Sequence, residues 1–223
     1  LQYRACGLIV ASCYLQNPEN IIKATSYLNV VSVQTNLEGT DQIGVTDRKG
    51  TYDIIKYLIG LGHKKIAIMG YDEPYGTDNE RYGGYCDAMR DSGISLGSNY
   101  VVKVSANKND CYNATIDLLR GRKRPTAIHC INEYIAYEVY IAIKDLGLRI
   151  PEDLSLTGFD NLFLSKLMEP RLTTVSQPIT QIGEMAAKIV IDRNENKIKK
   201  GTQNIILPTE LIIRGSTSVP PSQ

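Results

Sequence analysis

Short runs rich in Val, Ile and Leu alternate with helical stretches along most of the chain, and this alternation is the strongest constraint on what it can fold into. The strand-like runs are Cys6 to Ala11, Val30 to Val33, Lys65 to Met69, Tyr100 to Val104, Ala127 to Cys130 and Leu154 to Thr157. Between them, Ile55, Leu58, Ile59 and Gly62 share one helical face after a cap signal at Asp47, and Gly62 is a natural stop. A second helix is expected from about Asn79 to Ser92, with Tyr82, Tyr85, Ala88 and Met89 on one side. A third runs from Asn132 to Leu146 with Ile135, Val139 and Ile143 inward and Gly147 at its end. Helix following strand at intervals of roughly 25 to 35 residues defines βαβ units, and βαβ units build a parallel sheet.

The end of the chain breaks that rhythm. Leu172 to Val175, a helix from about Thr180 to Asn194, then Ile205 to Leu207 and Leu211 to Ile213 would leave an awkward tail on a single sheet. Two sheets with repeated crossings between them account for it better. SVPPSQ at the end reads as a disordered tail.

Composition excludes several classes of function. The 25 basic and 24 acidic residues give a net charge of +1, which leaves no electrostatic footprint for nucleic acid in this chain. The only concentrated positive run, RGRKR at 120 to 124, has no interleaved aromatic and reads as a solvated loop between a helix and a strand. Five cysteines without a CxxC pair argue against structural zinc and a redox dithiol, and for free thiols in a reducing cytoplasm. No apolar run is long enough for a membrane span, and LQYRACGLIV is not a signal peptide.

Catalytic constellations are incomplete. Gly93-Ile-Ser95-Leu-Gly97 matches GxSxG, but a nucleophile elbow needs a strand entering and a helix leaving, and here the order is reversed. His63 stands between a helix stop and a strand, and His129 lies inside the apolar run TAIHC; neither has a cysteine or acid at ligand spacing. No metal, cofactor or enzymatic activity is expected. What remains is a set of polar residues where strands end or the next helices begin: Arg81, Asn132 with Glu133, and Asp160 with Asn161. In open α/β sheets ligands bind at those ends. A guanidinium, an amide and a carboxylate that can each make paired hydrogen bonds suit a small neutral molecule with several hydroxyls.

PTAIHCINEYIAYEVYIAIKDLGLRIPEDLSLTGFDN, followed by PRLTTVSQPITQIGEMAAKIVID, resembles the effector-binding core of the LacI/GalR family of bacterial transcriptional repressors. LGHKKIAIMG and ERYGGYCDAM match two further patterns of that family, in family order, and PTELIIRGST with MAAKIVID is similar to the arabinose-repressor branch. The resemblance implies two α/β, Rossmann-like parallel-sheet subdomains joined by three crossover segments, a type I periplasmic-binding-protein-like fold with a sugar in the cleft between them. On that pattern the first subdomain takes residues 1–46 and 174–201, the second 47–173 and 202–216, with 217–223 as a tail. The resemblance also implies a homodimer in the cytoplasm and operator DNA bound through a headpiece outside this chain, which starts at the strand the family writes as DGLIV. It assigns ligand binding to Arg81, Asn132, Asp160 and Gln177, with Gln34 where several members place an acid. Ala106 falls where many members carry a stacking aromatic, so the resemblance implies either a smaller effector or stacking elsewhere, for instance on Phe159 or Tyr134, and Glu133 is longer than the family's usual acid. A periplasmic sugar-binding protein feeding a transporter shares the fold and is the rival reading.

Overall fold

The computed structural model describes residues 5–11, 18–72, 76–105, 109–198 and 201–221. They form two units, one of Leu1–Thr46, Tyr75–Thr77 and Pro178–Pro208, the other of Asp47–Pro74, Asp78–Gln177 and Thr209–Gln223.

The first unit is built on a four-stranded, all-parallel sheet in the order β1 (Gly7–Ala11), β2 (Asn29–Val33), β3 (Asp41–Val45) and β9 (Asn204–Leu207). The helix α1 (Glu19–Ala24) connects the first two strands. Helix α7 (Ile179–Asn194) buries Ile182, Ala186, Ile189 and Val190 against Val31, Ile43 and Val45. The strand β3 has no apolar run to announce it, and its first residue is a buried acid. Asp41 is bound by the Arg193 guanidinium through Nε at 2.9 Å and Nη2 at 2.6 Å, and it also accepts from the Gln203 amide. A paired, hydrogen-bonded carboxylate can open a buried strand where an unpaired one cannot.

The second unit holds a six-stranded sheet in the order β10 (Glu210–Ile212), β8 (Thr173–Ser176), β7 (Ser155–Asp160), β6 (Ala127–Cys130), β4 (Ile66–Tyr71) and β5 (Val101–Val104). All neighbours are parallel except β10, which closes one edge antiparallel to β8. Strands buried on both faces, such as AIHC, read as continuous apolar runs, as parallel strands should. Helices α2 (Asp47–Gly60), α3 (Gly76–Asp91), α4 (Asp110–Arg120) and α5 (Glu133–Asp145) follow successive strands, and a short α6 (Leu164–Leu167) precedes β8. The α2 face that is buried is Ile54, Ile55 and Leu58, and Gly62 ends the turn beyond it at φ 102°. On α3 the inward residues are Arg81, Gly84, Tyr85, Ala88 and Met89, while Tyr82 stays partly in solvent.

Helices α2 and α3 meet at Gly84. A Cβ there would lie 2.1 Å from the Arg48 carbonyl oxygen and 2.9 Å from the Tyr52 nitrogen, both backbone atoms that cannot swing away. Gly183 on α7 has nothing within 4 Å of the same position. Gly84→Ala should therefore cost about 1–3 kcal/mol or more by overpacking, whereas Gly183→Ala should gain about 0.4–1 kcal/mol from reduced unfolded-state entropy. Thermal melts of the two variants check the opposite signs.

Two expected boundaries move. The second crossing falls at Gln177/Pro178 and the third at Pro208/Thr209, not near 174 and 202. Pairing explains both shifts: β8 stays in register with β7 through Ser176, and β9 stays with β3 through Leu207. The expected disordered tail is also corrected through residue 221, the last described. Ser218 donates its amide to Ser155 and its hydroxyl to the Pro151 carbonyl, and its own carbonyl lies 2.9 Å from His63 Nε2. Thr217 bonds the Tyr57 hydroxyl at 2.9 Å.

Candidate functional site

The second unit gathers its polar side chains where β6, β7 and β8 end and α2 and α3 begin. Arg81 is the hub. It is buried on α3 with its guanidinium 3.8 Å over the Phe159 ring, a cation–π seat that a buried arginine can use without water. Its Nε donates to Asp47 Oδ1 at 2.7 Å and its Nη1 to the Ile131 carbonyl at 2.6 Å. Nη1 also lies 3.2 Å from Asp160 Oδ1, and Gln177 Nε2 donates to that same oxygen at 2.5 Å. Among the described residues, Asp160 Oδ2 and Arg81 Nη2 take no partner. The cluster thus leaves one carboxylate oxygen able to accept and one guanidinium nitrogen able to donate.

Asp160 and Asn161 leave β7 with φ of 107° and 57°, a backbone that costs non-glycine residues about 1–3 kcal/mol each and persists only when its surroundings impose it. The clamp is visible. The Asn161 side-chain Oδ1 accepts from Arg214 Nη2 at 2.5 Å, and its Nδ2 donates to Ser176 Oγ at 3.1 Å.

Electrostatically, one guanidinium serves two carboxylates. Burial pushes both Asp47 and Asp160 above the usual carboxylate range, with Arg81 pulling back against it and Asp78 adding repulsion. Arg81 loses solvation but is held charged by Asp160 and Asp47.

Other predicted residues find different work. Asn132 caps α5, its side-chain oxygen accepting from the Ile135 amide at 2.9 Å, so that oxygen is committed. Glu133 is fully buried and points at the sheet: it accepts from the Ser165 amide and the Thr174 hydroxyl, both at 3.2 Å. Burial raises its carboxyl above the usual range while these donors oppose the shift. Phe159 is fully buried beneath Arg81, which corrects its expected role as a ligand platform; its face is taken by the guanidinium. Tyr134 stands exposed on α5. Gln34 sits at φ 57° just beyond β2, its backbone N–H donating to the Ile43 carbonyl, at the C-terminal edge of the first unit's own sheet. Ala106 lies outside the described residues.

Residues without a role in the cluster are accounted for as well. Ser95 follows the Gly93 turn that ends α3 and enters no strand-to-helix elbow. His129 is buried, bonded to Thr157 through Nδ1, and burial with Arg81 nearby lowers its imidazole to about 3. Arg124 ties its loop to the Asp153 carbonyl. Asp47 and the Ile131 carbonyl were not foreseen as parts of the cluster. Among the described residues no group of three or more His, Cys, Asp or Glu could hold a metal ion. A small pocket of about 170 Å³ opens beside the cluster, lined by Tyr71, Asp78, Tyr82, Lys103 and Ile131 among others.

Two α/β units of parallel sheet, with a convergent polar cluster at a C-terminal sheet edge, define a type I periplasmic-binding-protein-like fold. Residues 55–217 match the periplasmic binding protein-like domain, and the chain belongs to that family. It is 34% identical over 214 residues to the HTH-type transcriptional regulator YvdE of Bacillus subtilis, covering 95% of this chain and 66% of that protein. It is 31% identical over 211 residues to the HTH-type transcriptional repressor PurR of Mannheimia succiniciproducens, covering 94% and 63%. The chain therefore spans a little under two thirds of these curated relatives. Among solved structures it resembles a LacI family transcriptional regulator from Enterococcus faecium with bound ribose, at TM-score 0.86 and 27% identity over 96% of this chain and 80% of that one. A putative ribose operon repressor from Burkholderia thailandensis matches at TM-score 0.81 and 25% identity over 94% and 78%.

Proposed function

We propose that this chain is the effector-binding part of a LacI-family transcriptional regulator that senses a small sugar in the cytoplasm. The observation that carries the reading is Asp160: one oxygen is pinned by Arg81 and Gln177, the other is left to accept, and the same arginine keeps Nη2 to donate. An acceptor and a donor within one cluster suit the hydroxyls of a sugar, which can each donate and accept. Asn132 lies at the same edge with its oxygen committed to the α5 cap, and Gln34 stands at the C-terminal edge of the first unit's sheet. Gln177 acts by holding Asp160.

The regulators among its relatives support this reading over a transporter-feeding binding protein. In the whole regulator, a headpiece binds operator DNA, and the effector changes that binding by favouring one state of the protein over another, which requires different affinities for the two. Tyr134 on α5, Phe163 just before α6 and Leu167 on α6 are large apolar side chains left 66%, 72% and 61% exposed, and they support a homodimer. Among the described residues no helix is long and apolar enough to cross a membrane.

Titration calorimetry with ribose, arabinose, other pentoses, hexoses and purines tests the proposal. Saturable one-to-one binding of a pentose or hexose is the expected result. Binding of purines alone overturns the sugar assignment, and binding of nothing overturns the sensor reading.

A further inference from the structure

We infer that Arg214, which lies outside the polar cluster, is a positioning residue for sugar binding: through the Asn161 side chain it holds the backbone turn that aims Asp160. The inference rests on the sensor reading and adds to it a residue that sets affinity without joining the cluster.

Asp160 and Asn161 leave β7 at φ of 107° and 57°, two left-handed residues in succession, neither of them glycine. Such a backbone returns to ordinary negative φ unless its surroundings forbid it. The hold falls on the Asn161 side chain and has two parts. Ser176 Oγ accepts from its Nδ2 at 3.1 Å, a neutral bond, and Arg214 Nη2 donates to its Oδ1 at 2.5 Å, a charge-assisted bond of roughly twice the strength. Arg214 is itself fixed at both ends. Its Nη1 donates to the Leu172 carbonyl at 2.9 Å, its amide donates to the Thr173 hydroxyl at 2.9 Å, and its carbonyl accepts from that hydroxyl at 3.3 Å. The guanidinium therefore ties the start of β8 to the turn at the end of β7. Its charge is not spent on an ion pair: half-buried, Arg214 has no carboxylate within 4 Å among the described residues, and burial draws its pKa down while Glu133 opposes from farther off. A cation taken partly out of water without an ion pair costs stability. Position accounts for it where charge pairing does not. Without Arg214 the turn relaxes in a fraction of molecules, and Asp160 leaves Arg81 and Gln177, which pin one of its oxygens. Apparent affinity then falls in proportion to the fraction that keeps the turn.

Calorimetry well below the melting temperature, with whichever of ribose, arabinose or glucose binds the parent protein, reads this as a double-mutant cycle. Arg214→Met should weaken binding by about 5- to 50-fold at unchanged one-to-one stoichiometry. On an Asn161→Gly background, where the oxygen that Arg214 holds is gone, the same change should cost less than about twofold. A residue that matters for stability alone would lower the melting temperature and leave the affinity of the folded protein where it was. Unchanged affinity in Arg214→Met therefore overturns the inference, and so does an equal loss on both backgrounds, which would mean a route other than Asn161. If Arg214→Met does not fold, Ser176→Ala cuts the other hold on the same side chain: a severalfold loss supports the turn as the point of control, and no loss overturns it. Failure of the parent protein to bind any of these sugars overturns the sensor reading, and this inference with it.

Discussion

Asp160→Asn should weaken sugar binding by roughly 10- to 150-fold while making the unliganded protein more stable. The loss of affinity follows from replacing a charged acceptor, since hydrogen bonds to ionised groups contribute about 1.5–3 kcal/mol. The gain in stability follows from where the carboxylate sits. Burial raises the folded pKa of Asp160 above its ordinary value of 3.8, and half a share of Arg81 does not compensate. A carboxyl whose folded pKa is raised holds its proton more tightly in the native state than in the unfolded one. Its charge therefore costs stability at every pH above the folded pKa. The cost fades as pH falls through the window from that value to 3.8 and is absent below it. Asparagine removes the cost, keeps the shape, and suits a left-handed φ of 107° at least as well as aspartate. Melting curves at pH 7 should show the variant above the parent protein, with the gap closing near pH 3.8 and below. Unchanged sugar affinity would remove Asp160 from the binding role, and equal melting temperatures at pH 7 would show that its buried charge costs nothing. A site residue that costs stability until its ligand arrives is the usual trade between function and fold.

That Arg81 and Asp160 meet in one polar cluster was legible because each stands at a strand end or a following helix, where a buried sheet has no other reason to set down a charge. Asp47 was not, because an acid opening a helix is read locally as a cap; only the fold shows its carboxylate turned to Arg81, 34 positions later. Asn132 and Phe159 show the converse. Both lie in motif positions, yet the Asn132 oxygen is spent on its own helix and the Phe159 ring on the arginine. Strand β3 was missed for the same physical reason that Asp47 was underread. Its opening Asp41 is buried because Arg193 reaches it from 152 residues away, and no local pattern carries that pairing. The closing SVPP looked disordered because it has no periodicity, but Ser218 is held by hydrogen bonds to Ser155, Pro151 and His63 rather than by a repeating face. Periodicity reports elements that bury a stripe. It is silent on segments held by isolated polar contacts.

Arg81→Met should be the most damaging single change in the second unit, lowering stability by about 3–5 kcal/mol, because it leaves Asp47 and Asp160 buried without a counter-charge. For a protein of this size that corresponds to a fall in Tm of roughly 6–20 °C. Methionine retains much of the packing against Phe159, so the loss reports the charge rather than a cavity. Two signatures separate this cause from a general weakening of α3. Without the guanidinium, both carboxyls rise further, so the deficit should shrink as pH falls through their folded values, the reverse of ordinary acid denaturation. Neutralising one of the stranded acids should also recover part of the loss: Arg81→Met with Asp160→Asn should melt above Arg81→Met alone, a coupling expected of residues in one buried network. A double variant that melts at or below the single one, or a deficit independent of pH, would show that Arg81 matters for its bulk and that the three-residue charge cluster is not what holds the ligand edge together.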